Sequence, residues 1–171
     1  MKRIISFIIA AVLIIAGVFV VSGCEDDRGT DVPHKVYSFE VDPVRPFGTK
    51  VYVIDSMQTL LEMDEQQDGM FFLEKSESYG RELSAKMKEY DAGFFEDKTI
   101  LFFVISLPHY EMRTFKSIKL VDEKIVVTIE KPRFDKYAMF PDVVTTFEFV
   151  VEVEKSVGQH EIELKVVEAR E

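Results

Sequence analysis

The residues able to do chemistry in this chain are few and scattered. The three histidines, His34, His109 and His160, lie far apart. A zinc site draws its ligands at short spacings, so these read as three unrelated surface histidines. The one cysteine, Cys24, has no second thiol for a disulfide. No glycine-flanked serine elbow supplies a nucleophile, and no glycine-rich loop is present to cradle a phosphate. Asp64, Glu65 and Asp68 lack the alternating oxygen-ligand spacing and the distal glutamate of a calcium loop. The acids Glu148, Glu152, Glu154, Glu161 and Glu163 form a possible negative stripe on the last hairpin. They read as the wet face of an antiparallel sheet, because charge on alternate strand positions is how such a face is solvated. On these grounds no catalytic, cofactor-binding or metal-ligating residue is expected. Two loops are candidate recognition surfaces, because apolar and aromatic groups on loops commonly meet partners. One carries His109, Tyr110 and Met112, and the other Tyr137, Met139 and Phe140.

The start of the chain is more specific. Lys2 and Arg3 precede Ile4 to Val21, an apolar run broken only by Ser6 and Gly17. Residues 1–23 hold 17 apolar residues and no acid. A basic start, an apolar run and small residues before a cut site describe a secretory signal. Val21-Ser22-Gly23-Cys24 resembles the bacterial lipobox: an aliphatic residue, a small residue, glycine or alanine, then cysteine. The resemblance implies cleavage between Gly23 and Cys24, with Cys24 diacylated on its sulfur (covalent diacylglycerol/fatty acid) and left as the mature N-terminus. It also explains a lone cysteine in an exported protein, which otherwise has no role. The alternative is an uncleaved anchor, since eighteen residues border on a short transmembrane helix. Both place the positive end inside and the domain on the extracytoplasmic side of the cell membrane.

Without the leader the charge changes. Lys+Arg falls from 21 to 19 against 31 acids, so the formal net charge moves from -10 to -12. So acidic a domain is not expected to bind nucleic acid. Residues 24–34 contain Glu25, Asp26, Asp27 and Asp31 and read as a disordered acidic tether. Fully extended, these eleven residues reach at most about 36–40 Å.

From residue 35 to 171 the periodicity describes a single domain. Lys35 to Val41 alternates as a strand, and Val51 to Ile54 is a second. Asp55 or Ser56 can cap a helix that buries Met57, Leu60 and Leu61. Leu83, Met87 and Tyr90 repeat at helical spacing, and Phe94 to Lys98 reads as a turn. Thr99 to Ile105 is an unbroken run of β-branched and aromatic residues, the pattern of a strand buried on both faces. Met112 to Val121 and Ile125 to Ile129 flank Asp122-Glu123 as a hairpin. Val143 to Glu154 alternates with its valines and phenylalanines on one side, and Glu161 to Val167 closes the chain. Early helices followed by many strands predict an α+β fold: an antiparallel sheet packed on one face by about two helices.

Tyr90-Asp91, Phe94-Phe95 and Lys98, followed by Ile100-Leu101 and a β meander, resemble a pattern in small lipoproteins of Gram-positive bacteria. The same arrangement loosely resembles the C-terminal domain of the PrcB protease-complex subunits, over about residues 90–167. That family tends to turn on glycines after the strand, where this chain has Ser106 to Tyr110 with Pro108. The resemblance implies no functional residue for this chain.

The expected function is therefore a non-enzymatic binding or accessory lipoprotein. Its partners would be the membrane, through the lipid, and an envelope protein or peptide. A surface hydrolase using carboxylates and a structural envelope protein are the alternatives. Cys24→Ala should release the protein or leave its precursor uncut. Entry of labelled fatty acid into that variant at the wild-type level would show that Cys24 is not the lipidated residue.

Overall fold

The computed structural model describes residues 29–41, 48–66, 81–108, 114–131 and 144–169. The elements are β1 (Thr30–Asp31), β2 (His34–Val41), β3 (Gly48–Ile54), α1 (Met57–Gln66), α2 (Arg81–Met87), α3 (Phe94–Asp97), β4 (Lys98–Pro108), β5 (Thr114–Val121), β6 (Lys124–Lys131), β7 (Val144–Glu154) and β8 (Glu161–Glu168). A 3-10 helix, Lys155–Gln159, joins the last two strands. The protein is mostly β, and its strands form two sheets rather than the single sheet expected.

One sheet has the order β2-β7-β4-β3 and is antiparallel throughout. The other has the order β1-β5-β6-β8, and its β6–β8 pair is parallel. The parallel pair follows from the path of the chain. After β6 it crosses to the first sheet as β7, reverses through the 3-10 helix, and returns to the second sheet as β8. Antiparallel neighbours need only a tight turn, whereas a parallel pair needs such an excursion.

Leu101 and Phe103 of β4 and Phe149 and Val151 of β7 meet Ile118, Val127 and Leu164 from the second sheet in one buried cluster. Side chains alternate along each strand, so the intervening residues face the other way. Ile100, Phe102 and Val104 of β4 and Val150 of β7 do so, and join Leu60, Leu83, Met87, Tyr90 and Phe95 in a second cluster. The central strands thus have no wet face, which is why Thr99 to Ile105 reads as unbroken apolar sequence.

This accounts for two departures from the sequence reading. Glu148 and Glu152 do lie opposite the phenylalanine side of β7, but they are buried, at 0% and 7% exposed, not solvated. Alternation reveals which residues share a face, and cannot reveal that a second layer covers it. Only the outer acids behave as expected: Glu154 and Glu161 are exposed and Glu163 is half-buried. The tether expected over 24–34 also gives up its last residues to the domain. Thr30 and Asp31 pair with Leu120 and Lys119, Val32 is buried in the inter-sheet core, and His34 opens β2. A two-residue strand is too short to leave a period in sequence.

Local chemistry sets the element boundaries. Ser56 is the cap of α1, its Oγ accepting the Thr59 amide at 3.1 Å. Leu60 is buried, but Leu61 is 51% exposed, so only one of the two adjacent leucines reaches the core. Phe94 to Asp97 forms one helical turn rather than an irregular turn, with Asp91 accepting the Phe94 amide at 2.9 Å. In the β5–β6 hairpin Asp122 (φ 47°) and Glu123 (φ 66°) both take left-handed backbone. That is the geometry of a primed two-residue turn, adopted here without the glycine that usually eases it.

Gly158 marks a close approach between the 3-10 helix and the first sheet. A Cβ there would stand 2.8 Å from Thr99 Cγ2 and 3.2 Å from Val53 Cγ1. Thr99 is fully buried and β-branched, so it has little freedom to retreat. Gly158→Ala should lower the unfolding free energy by about 1–3 kcal/mol, read as a shift in the denaturant midpoint.

Candidate functional site

A cleft of about 350 Å³ opens between β2, the end of α2 and α3. Its floor is set by strand register. Lys35 of β2 stands opposite Glu152 of β7, which in turn stands opposite Ile100 of β4. Tyr37, two residues on, occupies the next row opposite Val150. Paired residues project to the same side of a sheet, so Lys35, Tyr37 and Glu152 share one face. Above them α2 brings Lys86, one residue from its buried anchor Met87. Tyr90 follows the helix, and the one-turn α3 places Phe94 against it at 4.6 Å between ring centroids.

The polar atoms converge. Tyr90 donates its hydroxyl to Glu152 Oε1 at 3.0 Å. Lys86 Nζ lies 3.1 Å from the same oxygen and 2.9 Å from Glu89 Oε2. The Lys86 ammonium also lies over two rings, 3.9 Å from the centroid of Tyr37 and 4.8 Å from that of Tyr90. Its side chain is 13% exposed, and that of Glu152 7%. A cation held by two carboxylates and two aromatic faces is strongly localised.

These contacts fix the charge states. Burial alone would pull the Lys86 ammonium toward its neutral form. Hydrogen bonds to Glu89, Glu152 and Tyr37 and the charge of Glu152 outweigh this and raise its pKa well above that of ordinary lysine. Burial likewise opposes the Glu152 charge, but hydrogen bonds from Lys86 and Tyr90 and the cations Lys86 and Lys35 bring its pKa below the ordinary value. Burial and the adjacent Glu152 charge push the Tyr90 hydroxyl far up. All three groups are therefore locked in their usual neutral-pH forms: cation, anion and neutral hydroxyl. A general acid or base works best with a pKa near the working pH, and none of these three approaches it.

Of the residues singled out from sequence, Glu152 of the acidic stripe and Tyr90, Phe94 and Lys98 of the lipoprotein-like pattern lie in this cleft. Cys24, His109, Tyr110, Met112, Tyr137, Met139 and Phe140 all fall outside the described residues. Of the other two histidines, His34 Nδ1 lies 2.6 Å from the Val32 carbonyl oxygen, and His160 Nδ1 lies 2.9 Å from that of Glu123. Both are tied to backbone. Asp64 is buried within α1. Among the described residues no group of three or more histidines, cysteines or acids is placed to hold a metal ion. No described helix is long and apolar enough to cross a membrane. No protein family, curated protein or solved structure matches the chain.

The cleft residues were hard to find in the sequence because they come from five separate elements. The available signals were weak: Lys86 inside the apolar period of its helix, and Glu152 inside a strand bordered by valines.

Removing one member of a buried pair leaves the other desolvated and uncompensated. Lys86→Met should destabilise the fold by about 2–3 kcal/mol, and Glu152→Gln by a smaller amount because Tyr90 can still donate to an amide oxygen. The pH dependence has a defined sign. The pair's contribution is complete between about pH 4.3 and 10, the values of a free carboxylate and a free tyrosine or lysine. It is lost as pH falls through the lowered pKa of Glu152. It is also lost as pH rises toward the raised values of Tyr90 and Lys86. Unfolding midpoints should therefore be flatter with pH in the Lys86→Met variant than in the wild type at both extremes.

Proposed function

We propose that this chain is a lipid-anchored extracytoplasmic binding or accessory module. In this reading Cys24 carries the lipid, the segment after it spaces the domain from the membrane, and the domain meets an envelope protein or peptide. The domain itself is taken as an α+β unit whose helices pack on one face of a sheet, behind a cleaved signal peptide. One observation carries the anchoring: the only cysteine of the chain stands directly after Val21-Ser22-Gly23, at the end of the apolar run from Ile4. Two acyl chains on such a residue hold a protein stably at a membrane, where one holds it marginally.

The absence of catalysis is supported by the electrostatics of the cleft. A hydrolase working with carboxylates needs one carboxyl raised toward neutrality so that it can give up a proton. Glu152, the buried acid of the cleft, is shifted the opposite way. A cleft walled by Tyr37, Tyr90 and Phe94 and carrying fixed charges is better suited to holding a ligand than to moving protons.

The reading is tested in the native membrane. The protein should sediment with membranes and resist extraction by high salt, while Cys24→Ala should be released or should remain bound only as the longer, uncut precursor. Crosslinking in intact cells should capture the same envelope component in repeated experiments. Extraction of the wild type by salt would overturn the anchor, and failure to recover any reproducible partner would overturn the accessory role.

A further inference from the structure

β8 is a long strand at the edge of a sheet. It runs from Glu161 to Glu168 and pairs with β6 without a break in register. Among the described residues no strand pairs with its other side. β1, at the opposite edge of the same sheet, has only two residues. An open edge presents a row of amides and carbonyls to any strand that can lie beside it. Natural edges are commonly blunted by proline, by a bulge or by a charge that points inward. β8 has no proline or glycine, and its inward residues Ile162, Leu164 and Val166 are apolar and buried. Its central charges, Glu163 and Lys165, lie on the outer face and are half-buried.

This pattern is complementary to a second copy of itself. A two-fold axis perpendicular to the sheet keeps the inner face of both copies on the same side, so opposed residues must share a face. Centred on Leu164, antiparallel pairing sets Leu164 against Leu164, Ile162 against Val166, Glu163 against Lys165 and Glu161 against Val167. Apolar residues then meet inside, and acid meets base outside on both sides of the axis. Centring on Glu163 opposes two glutamates, and centring on Lys165 opposes two lysines. Like charges directly opposite are destabilising, so charge selects the Leu164 register. Within one chain Lys165 Nζ lies 3.7 Å from Glu163 Oε1, a long contact. Residues two apart on a strand are about 6.5–7 Å apart. Residues opposed across strands have Cβ atoms only about 4.5–5.5 Å apart, so the copy offers each charge a nearer partner.

We propose that β8 is a dimerisation edge: two copies pair β8 with β8, antiparallel about Leu164, and join their second sheets into one. The contact leaves the helical side of the first sheet open, because the helices pack on the face turned away from the second sheet. With the axis perpendicular to the sheet, the helical sides of both copies point the same way. The two clefts around Lys86 and Glu152 are thereby presented together to one partner. The dimer goes beyond the anchored-module reading and does not require a lipid on Cys24.

The test uses the full chain in detergent micelles, with association followed by sedimentation at submillimolar protein. The wild type should form dimers that weaken as salt is added. Glu163→Lys and Lys165→Glu each turn both cross-axis pairs repulsive, and each should raise the dissociation constant about ten-fold or more. Mixed in equal amounts, the two variants should associate again to within about three-fold of the wild type, because acids then face lysines across the axis. The exchange variant carrying both substitutions should dimerise as the wild type does, which keeps the test open if a single variant folds poorly. A carbodiimide, which couples touching carboxylates and amines, should join Glu163 of one copy to Lys165 of the other. Mixing unlabelled with isotope-labelled chains separates that product from coupling within a chain. A monomeric wild type, single variants that associate as the wild type does, or failure of the mixture to associate would each overturn the proposal. Association through the leader or lipid, or through another surface, gives the second of these results. Membrane extraction of the Cys24→Ala variant is read separately, so the anchor and the dimer can fail independently.

Discussion

The sheet β2-β7-β4-β3 has to bury both of its faces. One face meets the second sheet through Leu101, Phe103, Phe149 and Val151, and the other meets the helical cluster through Ile100, Phe102, Val104 and Val150. A strand with no wet side cannot alternate between apolar and polar residues, so β4 is apolar almost throughout. The same constraint governs everything attached to this sheet. The helices must present Leu60, Leu83 and Met87 inward, and the second sheet must present Ile118, Val127 and Leu164. At about 25 cal/mol per Å² of apolar area, burial on both faces supplies most of what holds a domain of this size together. It also makes any polar group on the central strands costly unless it is fully bonded.

Glu152 shows how that cost is met. Placed mid-strand on a covered face, a lone carboxylate would be expelled or protonated. Here one of its oxygens receives both the Lys86 ammonium and the Tyr90 hydroxyl. Lys86 is in turn positioned by its own aromatic neighbours, with Tyr37 from β2 below it and Tyr90 from the segment after α2 beside it. The cluster therefore ties α2 to both β2 and β7. α2 has only seven residues, below the length at which a helix is stable alone, so tertiary contacts must hold it. A hydrophobic pair at these positions could be as stable, since buried ion pairs rarely exceed well-packed apolar groups in net energy. What a charged pair adds is direction. It fixes which turn of α2 faces the sheet, and so where the cleft opens.

Sequence and structure agree most closely where burial leaves a period. The run from Thr99 to Ile105, the alternation in β7 and β8 and the helical spacing of Leu83 and Met87 all match described elements. The faces of β7 were legible too, since Phe147, Phe149, Val151 and Val153 do point into one cluster. What those faces touch was not legible. Two sheets and one sheet have the same strand periods, because alternation is a local property and sheet membership a topological one. The same limit hid the burial of Glu148 and Glu152. The cleft was hidden for a further reason. Lys35, Lys86, Lys98 and Glu152 are spread over some 118 positions of sequence; the register of β7 with its two neighbours brings three of them together, and the packing of α2 adds Lys86.

That register also bears on how the domain would sit at a membrane. Lys35 is the second residue of β2 and lies eleven positions after Cys24. With a lipid on Cys24, the mouth of the cleft could stand no further than about 40 Å from the anchored residue. Thr30, Asp31 and Val32 shorten this reach, because they are held against β5. The acids of the preceding segment, Glu25, Asp26 and Asp27, oppose approach to an anionic leaflet, and Lys35 and Lys98 at the cleft favour it. With a lipid on Cys24, that acidic stretch would hold Lys35 and Lys98 off an anionic surface.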